Sequence, residues 1–181
     1  ALAELGFIKP TPIQAKTIPI LMDSGRDMIG SAQTGTGKTA AFGLPSIHLT
    51  NLDEPGTQTL ILCPTRELCM QVANDLRAYS KYIDKLGIVS IYGGASIEKQ
   101  IKSIKKRSHI VVGTPGRTKD LLKRKKLFID KVQRIVLDEA DEMLSMGFKD
   151  DLDFILSKIT EESQKLLFSA TMPKKVESIV K

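Results

Sequence analysis

One stretch decides how this chain is arranged, and it reads Ala32-Gln33-Thr34-Gly35-Thr36-Gly37-Lys38-Thr39. A short strand candidate, residues 27–30, precedes it, and a segment that opens a helix, residues 39–42, follows it. Glycines in such a strand-to-helix turn let successive backbone N–H groups point into one anion site at the helix N-terminus. There Lys38 would reach the outer phosphates of a nucleotide, and the Thr39 hydroxyl would bind Mg²⁺. The stretch therefore predicts a phosphate-binding P-loop.

The general P-loop pattern has glycine at the position of Ala32. A methyl group is tolerated there if the residue does not need a positive φ. The alternative is a turn rich in Gly and Thr that binds nothing. Two glycines, a lysine and a hydroxyl in register favour the P-loop.

The composition permits a large core and a basic surface. The chain has 181 residues, and 27 Lys and Arg against 21 Asp and Glu give a net charge of +6, which allows a polyanionic partner without demonstrating one. Its two cysteines, Cys63 and Cys69, match neither a CxxC pair nor a zinc site, so we interpret them as buried small hydrophobes. The chain has neither a long apolar run nor a signal-peptide pattern, so we expect a cytoplasmic location and no membrane contact. It begins at Ala1 and not at Met, so we expect a fragment.

Apolar strand candidates alternate with longer helical segments along the chain. This pattern predicts an α/β fold with a parallel sheet covered on both faces. No linker is long enough to divide the chain, so residues 1–181 are expected to form a single domain. Gly43 and Pro45 predict a kink or an early break in the helix after the P-loop, and a short helix is predicted after Pro173. The predicted strands are residues 27–30, 59–63, 88–91, 109–112, 134–137 and 165–168.

Three carboxylates stand at the exit of one buried strand, in Asp138-Glu139-Ala140-Asp141. In parallel sheets ligands bind beyond the carboxyl ends of the strands. If this strand lies near the P-loop, Asp138 can hold Mg²⁺ directly or through water, and Glu139 can orient and activate an attacking water. The alternative is a helix N-terminus that favours acidic residues through its dipole. A P-loop without any other acidic metal partner favours the catalytic interpretation.

Two hydroxyls follow the last predicted strand, in Ser169-Ala170-Thr171. Beside a nucleotide they could hydrogen-bond Asp141 and sense the loss of a phosphate. The alternative is a Ser/Thr turn that caps the helix after Pro173. The sequence alone does not choose between them.

Three other strand ends combine a helix start or flexible backbone with an arginine. Each suits contacts to a sugar-phosphate backbone, although singly each is more often a helix start with a solvated arginine. Three of them on one sheet edge of a basic chain favour a nucleic-acid track. They are Pro64-Thr65-Arg66, Gly93-Gly94 and Thr114-Pro115-Gly116-Arg117.

Two further basic runs carry less information. We interpret them as solvated helix faces and a loop that add nonspecific attraction to a polyanion. They are Lys102, Lys105, Lys106 and Arg107, and the run Lys123-Arg124-Lys125-Lys126.

Gln14 follows a rigid turn, Pro10-Thr11-Pro12-Ile13. An amide donates and accepts at once, which suits the N6 amine and N7 of adenine. This complementarity predicts ATP over GTP. The alternative is a surface glutamine after a proline-rich turn.

Together these motifs resemble the first RecA-like domain of DEAD-box RNA helicases, from Gly6 to Pro173. Phe7 and Gln14 look like the adenine-reading Q motif, and residues 32–39 look like motif I, in which the family itself has alanine first. Residues 64–68, 93–94 and 114–117 are similar to motif Ia, the GG motif and motif Ib, which contact the RNA backbone in the family. Residues 138–141 are similar to motif II, and residues 169–171 to motif III, which couples hydrolysis to unwinding.

The resemblance implies a RecA-like P-loop three-layer sandwich with a mostly parallel sheet. The strand leading to Ser169 should lie between the P-loop strand and the strand leading to Asp138. The implied ligands are ATP, Mg²⁺ and RNA. ATP would contact Phe7, Gln14 and residues 32–39, and Lys38, Asp138 and Glu139 would be catalytic.

Nothing in the chain resembles the second RecA-like domain, which in the family supplies arginine fingers and half of the RNA site. The parent protein is expected to couple Mg-ATP hydrolysis to local RNA unwinding. The chain by itself is expected to be monomeric and weakly active or inactive. The family's upstream aromatic that stacks on adenine would also lie before Ala1.

Two rival functions remain open. One is an ATP-gated RNA clamp or assembly scaffold in which turnover only resets the grip. The other is an unrelated P-loop phosphotransferase such as a small kinase. A kinase would need an acceptor pocket and an arginine-rich lid, and the sequence indicates neither.

Overall fold

A computed structural model describes residues 1–23, 25–33 and 35–171. These ranges contain six strands and seven helices, which alternate except that two helices follow each other before the last strand. The strands are β1 (Met28–Ser31), β2 (Thr59–Leu62), β3 (Ile88–Ile91), β4 (Ile110–Gly113), β5 (Arg134–Asp138) and β6 (Gln164–Ser169). The helices are α1 (Pro12–Asp23), α2 (Lys38–His48), α3 (Arg66–Tyr79), α4 (Ile97–Lys106), α5 (Pro115–Lys123), α6 (Ala140–Ser145) and α7 (Lys149–Leu156).

The strands form one sheet in the order β1-β6-β5-β2-β4-β3, and every neighbouring pair is parallel. Strand β6 lies between β1 and β5, with Leu167 in register with Ile29 on one side and Leu137 on the other. The predicted order of these three strands is therefore confirmed. The P-loop strand β1 pairs with β6 alone among the described strands.

Helices cover both faces of the sheet. Alternate residues of a strand point to opposite faces, and in β2 Leu60 packs into one apolar cluster while Ile61 packs into the other. Helices α1 to α3 contribute to the cluster that contains Ile61, and α4 to α7 pack on the other side. Each fully buried leucine or isoleucine contributes roughly 1.5–3 kcal/mol to stability. The predicted three-layer α/β sandwich is confirmed, with a sheet that is parallel throughout the described residues.

Of the predicted kink or early break in the helix after the P-loop, the early break is wrong. Helix α2 continues through Gly43 and Pro45 to His48. Gly43 serves packing, because a Cβ there would lie 2.5 Å from a methyl group of Leu76 on α3. The hydroxyl of Ser46 donates to the carbonyl of Phe42 at 2.7 Å inside the same helix. The helix predicted after Pro173 lies outside the described residues.

The two cysteines are free and buried in the core, as the sequence predicts. The Sγ of Cys69 lies 3.1 Å from the carbonyl oxygen of Val112. Burial raises the pKa of Cys69 to about 12 and that of Cys63 well above its ordinary value. In the described part of the chain, no helix has the length and hydrophobicity needed to cross a membrane.

Candidate functional site

The segments that follow the strands meet at one edge of the sheet, because all strands run in the same direction. The strand order lets us divide this edge into two halves of three neighbouring strands each. We call β1, β6, β5 and the segments after them the P-loop half. We call β2, β4, β3 and the segments after them, which carry Arg66 and Arg117, the arginine half.

Two glycines shape the P-loop. Gly35 and Gly37 have φ values of 79° and 88°, and Gly37 is the N-cap of α2. Ala32 has no positive φ, so its methyl group is tolerated, and its N–H donates to the carbonyl of Ser169 at 3.1 Å. The predicted contact residue Thr34 lies outside the described residues.

Lys38, Asp138 and Glu139 meet at the end of the P-loop. The Nζ of Lys38 lies 3.4 Å from Oδ1 of Asp138 and 4.0 Å from Oε1 of Glu139. Lys38 and Asp138 are only 6% and 2% exposed. Their contact is an ion pair without hydrogen-bond geometry, so Nζ and Oδ1 are both buried without a hydrogen-bond partner. Such orphaned charged atoms are costly unless a ligand satisfies them.

Both carboxylates are perturbed. Burial raises the pKa of Asp138, although the nearby Lys38 opposes the shift. Burial also raises the pKa of Glu139, and the charge of Asp138 adds to the effect. A further cation at this position would relieve both groups, so the residues present fit a divalent metal ion.

Glu139 also has a strained backbone. Its φ and ψ are 55° and 52°, in the left-handed region, where it caps α6. This conformation costs a non-glycine residue roughly 1 kcal/mol or more. Strain of this kind is concentrated at functional sites.

A cleft of about 330 Å³ joins these groups to the first helix. Its lining includes the predicted residues Phe7, Gln14, Gly35, Gly37, Lys38, Thr39, Asp138 and Glu139. The predicted residues Ala32, Gln33 and Thr36 instead line a separate hollow beside α1.

Helix α3 forms a wall of the cleft that sequence reasoning missed. Leu68, Gln71, Asp75 and Tyr79 line it, and the ring of Tyr79 meets that of Phe7 edge-on at 5.6 Å. Burial raises the pKa of Tyr79 to about 12. The signal was the helical spacing, which places these residues on one face of α3.

Gln14 is buried at 4% exposure, so it is not the surface glutamine of the alternative interpretation. Its Nε2 donates to the carbonyl of Gly37 at 3.2 Å, and its Oε1 accepts the N–H of Thr11 at 2.9 Å. An amide has two donor hydrogens and two acceptor lone pairs. One of each therefore remains for a ligand.

Asp141 joins β6 to β5 through hydrogen bonds. Its Oδ2 accepts from the N–H and the hydroxyl of Thr171 at 2.9 and 2.8 Å, and its own N–H donates to the Ser169 hydroxyl at 3.2 Å. Burial acts to raise the pKa of Asp141, but the hydrogen bonds outweigh it and the pKa is lowered. The carboxylate is thus held in its charged form.

The arginine half presents an exposed guanidinium. Arg66 begins α3 and lies over the ring of Tyr92 at 5.1 Å. The side chain of Thr65 caps this helix by accepting the N–H of Leu68 at 3.2 Å, and Pro64 before it is buried. Gly94 has a φ of 77°, and a Cβ on it would lie 3.8 Å from Arg66. The N-terminus of α3, the guanidinium of Arg66 and the backbone at Gly94 therefore lie next to one another.

Arg117 has a different environment. Its Nη1 donates to the carbonyl of Ala95 at 3.2 Å and to Oε1 of Gln100 at 2.9 Å. Thr114 and Pro115, at the start of α5, are buried, and Gly116 is partly exposed. Arg117 therefore holds the loop that follows Gly93 and Gly94, an arrangement that sequence reasoning did not find.

The fold and the site define a RecA-like P-loop domain. A family model described as DEAD/DEAH box helicase matches residues 11–179. The chain belongs to the DEAD/DEAH box helicase family.

Two bacterial relatives show the same relationship. The chain is 51% identical over 174 residues to the DEAD-box ATP-dependent RNA helicase CshA of Streptococcus pneumoniae, covering 96% of this chain and 33% of that protein. It is 53% identical over 180 residues to the RNA helicase CrhR of Synechocystis, covering 99% of this chain and 36% of that protein. The chain thus spans about a third of the length of each of these relatives.

Two solved structures have the same fold as this chain. A DEAD box protein from Methanococcus jannaschii superposes with a TM-score of 0.93 at 44% identity, over 98% of this chain and 48% of that one. A hypothetical ATP-dependent RNA helicase from Sulfolobus tokodaii gives a TM-score of 0.90 at 37% identity, over 99% of this chain and 51% of that one.

Proposed function

We propose that the P-loop half binds Mg-ATP, that the arginine half binds RNA, and that the whole protein couples ATP hydrolysis to local separation of RNA strands. One observation carries the proposal. Lys38, Asp138 and Glu139 meet in one cleft with two charged atoms that lack a hydrogen-bond partner. The names of the relatives supply RNA as the nucleic acid.

The protein's own groups would hold ATP from both ends. The free donor and acceptor of Gln14 would bind the adenine edge, and Phe7 lines the same cleft. Backbone N–H groups of the P-loop, residues 32–39, would surround the phosphates. Lys38 would exchange part of its pairing with Asp138 for the outer phosphates, which are stronger partners than one buried carboxylate.

Thr39 and Asp138 would hold the magnesium ion, partly through water. The described residues contain no group of three or more His, Cys, Asp or Glu side chains that could hold a metal. Phosphate oxygens and water would supply the other ligands, as is usual for Mg²⁺. When bound, the ion supplies charge neutralisation at the transferred phosphoryl group.

Glu139 would orient and deprotonate the attacking water. Its raised pKa makes the carboxylate more basic than that of an ordinary glutamate, which suits a general base. Asp141, Ser169 and Thr171 would couple hydrolysis to the RNA site, because their hydrogen bonds fix β6 against the segment that carries Glu139.

RNA phosphates would lie across the arginine half. The N-termini of α3 and α5 offer backbone N–H groups, and the exposed Arg66 offers a charged donor. Thr65, Gly93, Gly94 and Gly116 would make close backbone contacts. Arg117, Thr114 and Pro115 would act by holding this surface in shape.

A second RecA-like domain in the whole protein would complete both sites. Arginine fingers typically contribute about 10³–10⁵ in rate. We therefore propose that this chain by itself is a monomer that binds nucleotide weakly, hydrolyses it little and unwinds nothing. We propose a cytoplasmic location for the whole protein.

The test is ATP turnover by this chain with and without single-stranded RNA, with Mg-ATP binding measured in parallel. We expect measurable binding of ATP, weaker binding of GTP, and turnover near background. Strong RNA-stimulated turnover would show that the chain completes its own active site. A folded chain without ATP binding would refute the proposed nucleotide site.

A further inference from the structure

A second basic surface lies at the opposite edge of the sheet from the candidate site. A cavity of about 570 Å³ opens there, next to Thr57, Ser108 and His109. These residues precede β2 and β4, whereas the P-loop and the exposed Arg66 follow strands. The parallel sheet therefore separates the two surfaces by the length of its strands.

The fold brings the two basic runs of the sequence together around this cavity. We call its cationic lining the distal basic face, which consists of Lys105, Lys106, Arg107, Lys125 and Lys126. Asp53 is the one carboxylate that lines the cavity within the described residues. The sequence interpretation treated the two runs as separate solvated segments, and their convergence was not visible in it.

The lysines of this face form no ion pair with the described residues. Within the described ranges, no carboxylate lies within 4.0 Å of any of the four ammonium groups. Some surface cations elsewhere are paired, as in Lys119 with Asp151 at 2.6 Å and Lys149 with Asp153 at 2.5 Å. Unpaired like charges around one cavity repel each other, and a bound polyanion would relieve this.

Helix dipoles explain only part of the arrangement. Lys105 and Lys106 occupy the last turn of α4, where cations are favoured. Lys125 and Lys126 lie beyond the end of α5 at Lys123, and Lys125 has a φ of 55°. The C-termini of both helices favour cations, but the dipoles do not account for the meeting of the two helix ends at one cavity.

Two rings accompany the cations. Phe128 lines the cavity, and 65% of its side chain is exposed to solvent. His109 accepts the N–H of Gly87 at its Nδ1, so the neutral ring carries its proton on Nε2. Cations with an exposed ring form the combination that binds single-stranded nucleic acid.

We propose that the distal basic face is a second RNA-binding surface, which binds the phosphate backbone through its lysines and stacks a base on Phe128. RNA is favoured over an acidic protein because the exposed ring has a use in stacking, and because RNA is the polyanion of the proposed function, on which this choice rests. The surface extends RNA binding beyond the nucleotide-dependent edge of the sheet and is independent of ATP.

The test compares two double variants of this chain. Lys106→Gln with Lys126→Gln removes one charge from each run. Lys9→Gln with Lys158→Gln removes the same charge from exposed lysines that lie outside both basic runs and do not line the cavity. Binding of labelled single-stranded polyuridine is measured by fluorescence anisotropy between about 50 and 200 mM salt. Circular dichroism confirms that each variant is folded.

We expect the first double variant to bind about 25-fold more weakly near 0.1 M salt, since each lost phosphate contact contributes roughly 0.7 to the slope of log affinity against log salt. Its slope should fall by about 1.4, and the control should stay within about twofold. Phe128→Leu should weaken binding by about fivefold or more, whereas Phe128→Tyr should keep the affinity.

Equal effects in both double variants, or an unchanged slope in the first, would overturn the proposal. Binding of polyglutamate to the face as tightly as polyuridine would overturn the assignment to RNA. Full competition by inorganic polyphosphate against polyuridine, together with unchanged polyuridine binding in Phe128→Leu, would overturn the proposed stacking. The face would then be a phosphate site without base contacts. Mg-ATP binding, measured separately, should be unaffected, so failure of the nucleotide site is distinguishable from failure of this face.

Discussion

The P-loop half and the arginine half share one sheet edge but are built differently. In the P-loop half the charged groups Lys38 and Asp138 are buried and face each other. In the arginine half Arg66 is exposed and rests on an aromatic ring. Buried charges are costly unless their partners are complete, whereas an exposed arginine is already solvated. The first half is therefore suited to one ligand of defined shape, and the second to a backbone that repeats.

The largest expected effect tests the chemistry of the P-loop half. Glu139→Gln keeps the size of the side chain but removes the base, so we expect ATP turnover by the whole protein to fall about 10³-fold. ATP binding should remain. The measurement is steady-state phosphate release with RNA present.

Glu142→Gln is the matched control, because Glu142 is an exposed carboxylate one turn further along α6. Its turnover should be unchanged. The same variants separate the two functions left open by the sequence, since Glu139→Gln should stall an unwinding enzyme. If it instead holds RNA normally and supports function, the ATP-gated clamp is the better description.

A pair of glycines contrasts the two halves more directly. Gly37→Ala places a methyl group 2.5 Å from the Gln14 amide at a φ of 88°. We expect it to lower the free energy of unfolding by about 1–3 kcal/mol and to weaken ATP binding at least about tenfold. Gly93→Ala meets no atom within 4 Å, so its stability should change by less than about 0.5 kcal/mol. Urea titration measures the stability of each variant, and a binding assay measures its affinity for ATP. Equal losses in Gly37→Ala and Gly93→Ala would contradict the proposed difference between the two halves.

In the arginine half the expected effect is smaller and confined to RNA. Arg66→Gln should weaken binding of single-stranded RNA about fivefold near 0.1 M salt and lower its salt slope by about 0.7. ATP binding should not change. Arg77→Gln, an exposed arginine near the other end of α3, should leave RNA binding as it was. A loss of ATP affinity in Arg66→Gln would contradict the division of the edge.

The smallest effect concerns the junction at Asp141. Thr171→Val removes one hydrogen bond to this carboxylate and should cost about 1 kcal/mol of stability at neutral pH. Because the pKa of Asp141 is lowered in the folded chain, its contribution is complete above the ordinary value of 3.8 and is lost as the pH falls through the lowered value. The cost should therefore vanish in stronger acid. Unfolding free energies at both pH values test this.

Thr160→Val is the control for the pH dependence, because the Thr160 hydroxyl pairs with the Ser163 hydroxyl and not with a carboxylate. Its effect on stability should be the same at both pH values. A cost in Thr171→Val that persists in stronger acid would show that the hydroxyl does not act through Asp141.

The sequence predicted the features that depend on local pattern. Apolar runs placed the strands within one or two residues, and the position of β6 followed from the resemblance. The meeting of Lys38 and Asp138 followed from parallel strands that end at one edge. The early break predicted at Gly43 and Pro45 was wrong, because α2 continues through both residues and Gly43 packs closely on Leu76.

Features that depend on distant contacts were not predictable. Arg117 bonds to Ala95 and Gln100, about one strand and one helix earlier in the chain, so its role as a support has no local signal. In the sequence, the face of α3 that includes Tyr79 cannot be told from that of any amphipathic helix. Its role in the cleft becomes visible only in the structure, where Phe7 packs against Tyr79. Roles in binding and catalysis remain predictions, because contacts in the free protein do not test them.

The position of β6 also sets an order of events during synthesis. Among the described strands β1 pairs only with β6, and the hydrogen bond from Gln164 to the carbonyl of Arg26 spans 138 residues. Ribosomes add about 5–20 residues per second, so the P-loop strand waits several seconds or more without a neighbour. Until Ser169 has emerged, the nascent chain exposes an unpaired strand edge. We therefore expect aggregation of the nascent chain to be most probable in this interval, and chaperone binding to be most useful then.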